Sequence, residues 1–205
     1  MVLYSKKGFT LVELMIALAI SSLLLASLYT FYTHQRKIHA VREAVAEMQQ
    51  NARLGMAIMV REIRMAGYDP LSTAGAGIVT ASSTSLQFTQ DITDDSGTGD
   101  SDGDTDDANE TISYTLYDAD TDGDLDLGAG GTAVPITENI QSLSFTYILA
   151  DGTSTGSPAS LTEIRSIQVS LTARTSSPDP HYLDNGGYRT YTLTSLVTPR
   201  NLVYR

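Results

Sequence analysis

Lys6-Lys7-Gly8-Phe9-Thr10-Leu11-Val12-Glu13-Leu14-Met15-Ile16-Ala17 opens an apolar run that continues to Tyr32. Between Phe9 and Tyr32 the only ionisable carboxylate is Glu13. The segment is about as long as the roughly 20 residues an α-helix needs to span a hydrocarbon core. A carboxylate placed there costs about 2.5–3.5 kcal/mol on insertion scales, so such residues are usually paired and functional. Glu13 is therefore the residue that a reading of this chain has to explain.

A cleavable secretory signal would also begin with basic residues. Its apolar region is only about 7–15 residues long and ends in a small-residue cleavage site. The run here is longer, and its helical periodicity persists past the length of a membrane. The break in composition falls earlier, at Gly8. A signal-anchor helix carrying an incidental glutamate is the plain alternative.

On these residues the N-terminus resembles the type IV prepilin family, the subunits of type IV pili and of type II secretion pseudopili. Prepilin leaders are short and basic, end in Gly, and precede a Phe-Thr-Leu-x-Glu start. Lys6-Lys7-Gly8 occupy the leader end, Phe9 the first mature position and Glu13 the fifth. The resemblance implies cleavage between Gly8 and Phe9 by an inner-membrane prepilin peptidase, and N-methylation of the Phe9 amine. It also implies that Glu13 neutralises the Phe9 amine of a neighbouring subunit in the fibre. Physical chemistry points the same way, because a buried carboxylate and a new cationic terminus each need a partner at low dielectric.

The chain has 205 residues, enough for one membrane helix and one outer domain. It has no cysteine, so the outer domain is held by packing without disulfides, and there is no lipobox cysteine. The net charge of −11 is local: residues 91–126 contain thirteen Asp and one Glu with no Lys or Arg, which leaves +3 for the remainder. No basic stripe with interleaved aromatics supports nucleic-acid binding. Loss of Lys6 and Lys7 with the leader would take the mature chain to −13. Before cleavage these lysines favour a cytoplasmic N-terminus.

Past Tyr32 the helical pattern continues. Ile38, Val41, Val45, Met48, Ala52, Met56, Met59, Ile63 and Ala66 recur at three-and-four spacing, with charged residues such as Arg42, Glu43, Glu47 and Arg53 between them. Gly67 is placed for a left-handed C-cap, and Pro70 prevents continuation. The end of this helix, Arg61-Glu62-Ile63-Arg64-Met65-Ala66-Gly67-Tyr68, resembles that of PilW-type minor pilins. GspJ-type type II secretion pseudopilins share the architecture.

After residue 77 the period becomes two. Leu86 and Phe88 alternate with polar residues, as do Ile112, Tyr114 and Leu116, then Leu143, Phe145, Tyr147 and Leu149. Ile167, Val169, Leu171 and Ala173 follow, and finally Tyr191, Leu193 and Val197. Turn clusters such as Asp151-Gly152 and Asn185-Gly186-Gly187 bound these runs. One-sided alternation implies an antiparallel sheet covered on one face. The expected fold is α+β, a long N-terminal helix with a transmembrane first half and an amphipathic second half packed on an antiparallel sheet. The expected organisation is a leader at 1–8, a membrane and polymerisation half at 9–32, an amphipathic half at 33–67, and a β-rich domain at 68–205.

That domain carries two acidic loops, 91–108 and 118–126. In Asp118-Ala119-Asp120-Thr121-Asp122-Gly123-Asp124-Leu125-Asp126, carboxylates fall at positions 1, 3 and 5 with Gly at 6, the front half of an EF-hand-like loop. Position 12 is Ala129 where a bidentate Glu is expected, and Tyr114 to Tyr117 reads as strand. Calcium is the candidate cofactor, with Asp118, Asp120, Asp122, Asp124 and Asp126 as candidate ligands. Asp100-Ser101-Asp102-Gly103-Asp104-Thr105-Asp106-Asp107 reads as a solvated acidic loop. The two loops folding against each other around shared ions is a further arrangement.

Catalysis has little to stand on. His34 and His39 read as polar-face helix residues, and His181 lies in the loop Ser177-Pro178-Asp179-Pro180-His181-Tyr182. No nucleophile elbow, phosphate loop or zinc spacing accompanies an Asp179–His181 pair. The combined reading is a non-enzymatic minor pilin that co-assembles with major and minor pilins, in a priming or tip complex. Its other partners are the prepilin peptidase and the inner-membrane assembly platform. It sits in the inner membrane as a single-pass protein before assembly, and in a periplasmic or extracellular pilus afterwards. The alternatives are a type II secretion pseudopilin, a major pilin, and a membrane-anchored calcium-dependent adhesin with an uncleaved N-terminus.

Overall fold

A computed structural model describes residues 8–94, 100–118, 126–128 and 135–202. Helix α1 runs Leu11–Met65. By contacts the chain divides at Glu43/Ala44 into two compact units.

In the first unit, large apolar side chains from Phe9 to Tyr32 stand exposed, Phe9 at 90% and Leu23 at 72%. This part of α1 is long and apolar enough to cross a membrane. That fits a membrane-anchored chain.

The second unit opens with the amphipathic part of α1. Met48, Ala52, Gly55, Met56, Met59 and Ile63 are its buried residues, the stripe expected from three-and-four spacing. The helix stops where a positive φ is needed. Gly67 adopts φ 76° and donates its N–H to Thr89 O at 2.9 Å.

Among the described residues nine strands follow: β1 (Ile78–Ala81), β2 (Leu86–Thr89), β3 (Thr111–Tyr117), β4 (Asp126–Gly128), β5 (Pro135–Thr137), β6 (Ile140–Leu149), β7 (Ser154–Thr155), β8 (Ile164–Arg174) and β9 (Thr190–Val197). They form two antiparallel sheets where periodicity alone suggested one. The first is a meander, β1-β2-β3-β4-β5, and the second has the order β7-β6-β8-β9. In β8 the pattern of buried Ile167, Val169, Leu171 and Ala173 is the alternation read from sequence.

The sheets and α1 share one core. Met48, Met56, Met59 and Ile63 of the helix join Leu86, Phe88, Ile112 and Tyr114 of the first sheet and Phe145, Tyr147, Val169 and Leu171 of the second. The turn between β1 and β2 links the sheets directly. Phe145 donates its N–H to Ser83 O at 2.9 Å, and the Tyr147 hydroxyl donates to Ser82 O at 2.8 Å. Burial is the main cause that pushes the Tyr147 phenol upward in pKa, so it stays a neutral donor.

At Gly55 the helix backbone comes close to the sheets. A Cβ there would lie 3.0 Å from Thr137 Cγ2, 3.2 Å from Leu127 Cδ2 and 3.3 Å from Leu171 Cδ2. The residue that interrupts the apolar stripe is thus where side chains from both sheets meet the helix backbone.

Candidate functional site

Gly8, Phe9 and Thr10 precede α1 and have no regular secondary structure, and all three are exposed. The Gly8–Phe9 peptide bond is therefore presented in an accessible, non-helical segment. Residues 1–7, the remainder of the expected leader, lie outside the described residues.

Thr10 and Glu13 form a reciprocal cap on the helix. Glu13 N donates to Thr10 Oγ1 at 3.2 Å, and Glu13 Oε2 accepts from Thr10 N at 2.8 Å and from Thr10 Oγ1 at 2.9 Å. This is a capping box, in which two orphan N–H donors at the helix start are satisfied reciprocally. The signal was in the sequence as Thr-x-x-Glu, and reading Glu13 only as an intersubunit charge overlooked Thr10. Among the described residues Glu13 has no cationic partner, and its Oε1 accepts no hydrogen bond.

Residues 3–29 match the prokaryotic N-terminal methylation motif, the span that contains Gly8, Phe9 and Glu13. The N-terminus thus carries the methylation motif of prepilins. A solved type IV-like pilin from Thermus thermophilus is similar at 16% identity and a TM-score of 0.46, over 75% of this chain and 97% of that one. No curated protein sequence matches this chain.

Of the five calcium candidates, Asp118 and Asp126 are described. Asp118 is exposed just past β3, and Asp126 is buried at the start of β4, where its register partner is Tyr117. Asp120, Asp122 and Asp124 lie outside the described residues. Strands β3 and β4 stand on either side of this loop, so the frame around it is a β-hairpin. The other acidic stretch brings carboxylates together: Asp102, Asp104 and Asp107 each place one oxygen within 4.8 Å of the others.

His34, His39 and His181 are exposed. Asp179 does not orient the His181 imidazole. It accepts from the His181 backbone N–H at 2.9 Å, and its Oδ2 takes Nε and Nη2 of Arg189 at 3.1 and 2.8 Å. The His181 N–H, followed by the Arg189 guanidinium, holds the Asp179 carboxyl below the usual carboxylate range. An open groove of about 440 Å³ is lined by Ala57, Val60, Arg61, Arg64, Met65 and Arg200, an apolar floor with guanidinium groups and no carboxylate or imidazole.

Proposed function

We propose that this chain is a minor pilin, a non-enzymatic structural subunit of a type IV pilus. The observation that carries the reading is the lone carboxylate of Glu13, held at the start of an exposed apolar helix inside the methylation motif. The prepilin peptidase cuts the exposed Gly8–Phe9 bond, and the Phe9 amine is then methylated. Within the fibre, Glu13 meets the Phe9 amine of another pilin through the oxygen its own cap leaves open. Lipid surrounds the apolar helix segment before assembly, and neighbouring pilin helices surround it afterwards. Either environment removes the exposed side chains between Phe9 and Tyr32 from water, which is favourable at about 25 cal/mol per Å² of apolar surface.

The PilW-like helix end and the large acidic outer domain favour a minor subunit in a priming or tip complex. Calcium bound by the 118–126 loop belongs to the same proposal. Intact-mass analysis of the chain from sheared pili tests the reading. The expected species begins at a methylated Phe9 and is scarce relative to the main fibre subunit. Filaments that contain chains with Met1 to Gly8 attached overturn it, and recovery only with secretion-system subunits assigns the chain to the pseudopilins.

A further inference from the structure

Asp91, just past β2, is a buried acid that neither the residue pattern nor the proposed pilus role accounts for. It is 0% exposed, and neither of its carboxylate oxygens accepts a hydrogen bond. Its backbone, by contrast, ties separate segments together. Asp91 N donates to Tyr68 O at 2.8 Å, in the connection after α1, and Asp91 O accepts from Ser101 Oγ at 2.9 Å, in the acidic loop. One residue earlier, Gln90 N donates to Glu110 O at 2.9 Å, just ahead of β3. The end of the helix, the end of β2 and the acidic loop thus meet at this carboxyl group.

Two neighbouring acids show how a negative charge is accommodated here. Glu110, equally buried, accepts from Ile92 N and Thr93 N through Oε1 at 2.8 and 3.0 Å, and from Asp107 N through Oε2 at 3.3 Å. Asp69 accepts from Thr73 N and Ala74 N through Oδ1 at 3.1 and 3.4 Å, and from Gly75 N through Oδ2 at 3.0 Å. Backbone amides stabilise both of these carboxylates, and no backbone amide serves that of Asp91.

The charges that act on Asp91 come from each segment around it: Glu110 at the start of β3, Asp102 in the loop and Asp69 after α1, all of them carboxylates. No Lys, Arg or His occurs between Arg64 and Arg165. Burial first, then the Glu110 charge, push the Asp91 carboxyl up in pKa, against a smaller opposing pull from the Ser101 hydroxyl. A buried group in these surroundings avoids the cost of an unpaired charge by keeping its proton.

We propose that Asp91 is a proton-operated latch for the acidic loop. With its proton in place it is a neutral group that the fold can bury, and residues 100–107 close over it against the ends of α1 and β2. With the proton lost, an uncompensated charge faces three carboxylates, water enters, and the ties of Asp91 to Tyr68 and Ser101 loosen. The protonated form is favoured in the folded state alone, so stability falls as pH rises from the unfolded carboxyl value of about 3.9 until the folded Asp91 has ionised. The latch lies within the outer domain and stands apart from the proposed role in pilus assembly.

The test is thermal unfolding of the full-length chain and of Asp91→Asn in detergent and a chelator-containing buffer, from pH 4 to pH 8. Asparagine keeps the shape and cannot ionise. The Tm of Asp91→Asn is expected to exceed that of the unaltered chain at pH 8, by a gap about 3 °C or more wider than at pH 4. Hydrogen exchange of the unaltered chain, corrected for the intrinsic effect of pH, gives a readout that needs no variant. Protection of the Asp91 N–H is expected to fall by about threefold or more between pH 5 and pH 8, while β8 keeps its protection. The proposal is overturned by a gap that stays constant or narrows as pH rises, by a lower Tm for Asp91→Asn at pH 8, or by protection of the Asp91 N–H that does not change with pH.

Discussion

The phenol of Tyr114, on β3, donates a hydrogen bond to Oε2 of Glu62, on α1. Tyr114 is fully buried, whereas the Glu62 side chain is 22% exposed. The bond therefore joins the helix to the first sheet at the edge of the core. Burial, reinforced by the Glu62 acceptor, pushes the Tyr114 pKa far upward, which keeps its proton in place.

Tyr114→Phe should lower stability by about 1.5 kcal/mol, the low end for a hydrogen bond to a charged group, because water can reach Glu62 once the phenol is gone. That corresponds to a fall in Tm of about 3–6 °C for a chain of this size. Glu62→Gln keeps an acceptor and should cost less. Glu62→Ala leaves a buried hydroxyl unsatisfied and should cost at least as much as Tyr114→Phe. Thermal unfolding of the three variants in detergent, followed by circular dichroism, checks this order.

Gly55 should resist enlargement. Leucine there meets Thr137, Leu127 and Leu171 at once, and overpacking of this kind costs about 1–3 kcal/mol. Replacing glycine within a helix recovers about 1 kcal/mol of propensity, which offsets only part of that. Gly55→Leu is expected to lower the Tm, with Gly55→Ala much milder. Equal Tm values for Gly55→Leu and the unaltered chain would contradict the close helix approach.

The Asp179–Arg189 pair carries a pH signature. The native Asp179 carboxyl titrates below its unfolded value of about 3.9. Its contribution to stability is thus complete above that value and is lost as pH falls through the native pKa. Asp179→Asn should lower the Tm by a constant amount from neutral pH down to about pH 5, and the gap should close below about pH 4. A pH series of melting curves for both proteins gives the answer. A gap that widens in acid would reverse the sign.

Glu13 has two jobs that substitutions can separate. Gln at position 13 retains an acceptor for the capping box with Thr10 but loses the charge. If the carboxylate meets a neighbour's Phe9 amine, Glu13→Gln is expected to block incorporation into fibres as fully as Glu13→Ala does. Thr10→Val, which removes only the cap hydroxyl at about 1 kcal/mol, should reduce incorporation partially. Quantifying the subunit in sheared pili reads all three. Normal incorporation of Glu13→Gln would leave Glu13 as a helix cap alone.

How much was legible in advance depends on how local each signal is. The apolar start and the amphipathic stripe from Val45 to Ile63 follow from periodicity within one helix. The stop at Gly67 follows from the positive φ that glycine accepts. The buried alternation of Ile167, Val169 and Leu171 follows from the period of two. Even the Thr10–Glu13 cap was present in a four-residue spacing.

What only tertiary structure decided involves partners far apart in the chain. The division of the strands into two sheets depends on pairings such as Tyr147 with Ile167, which alternation within a strand does not specify. Gly55 has no local signal that explains it, and only the fold brings Leu127, Thr137 and Leu171 against it. Glu110 and Asp91 are both acids in one acidic stretch, yet backbone donors reach the first and bypass the second. Spacing along the chain sets which face a residue takes, whereas burial and hydrogen-bond supply depend on what the rest of the fold places opposite that face.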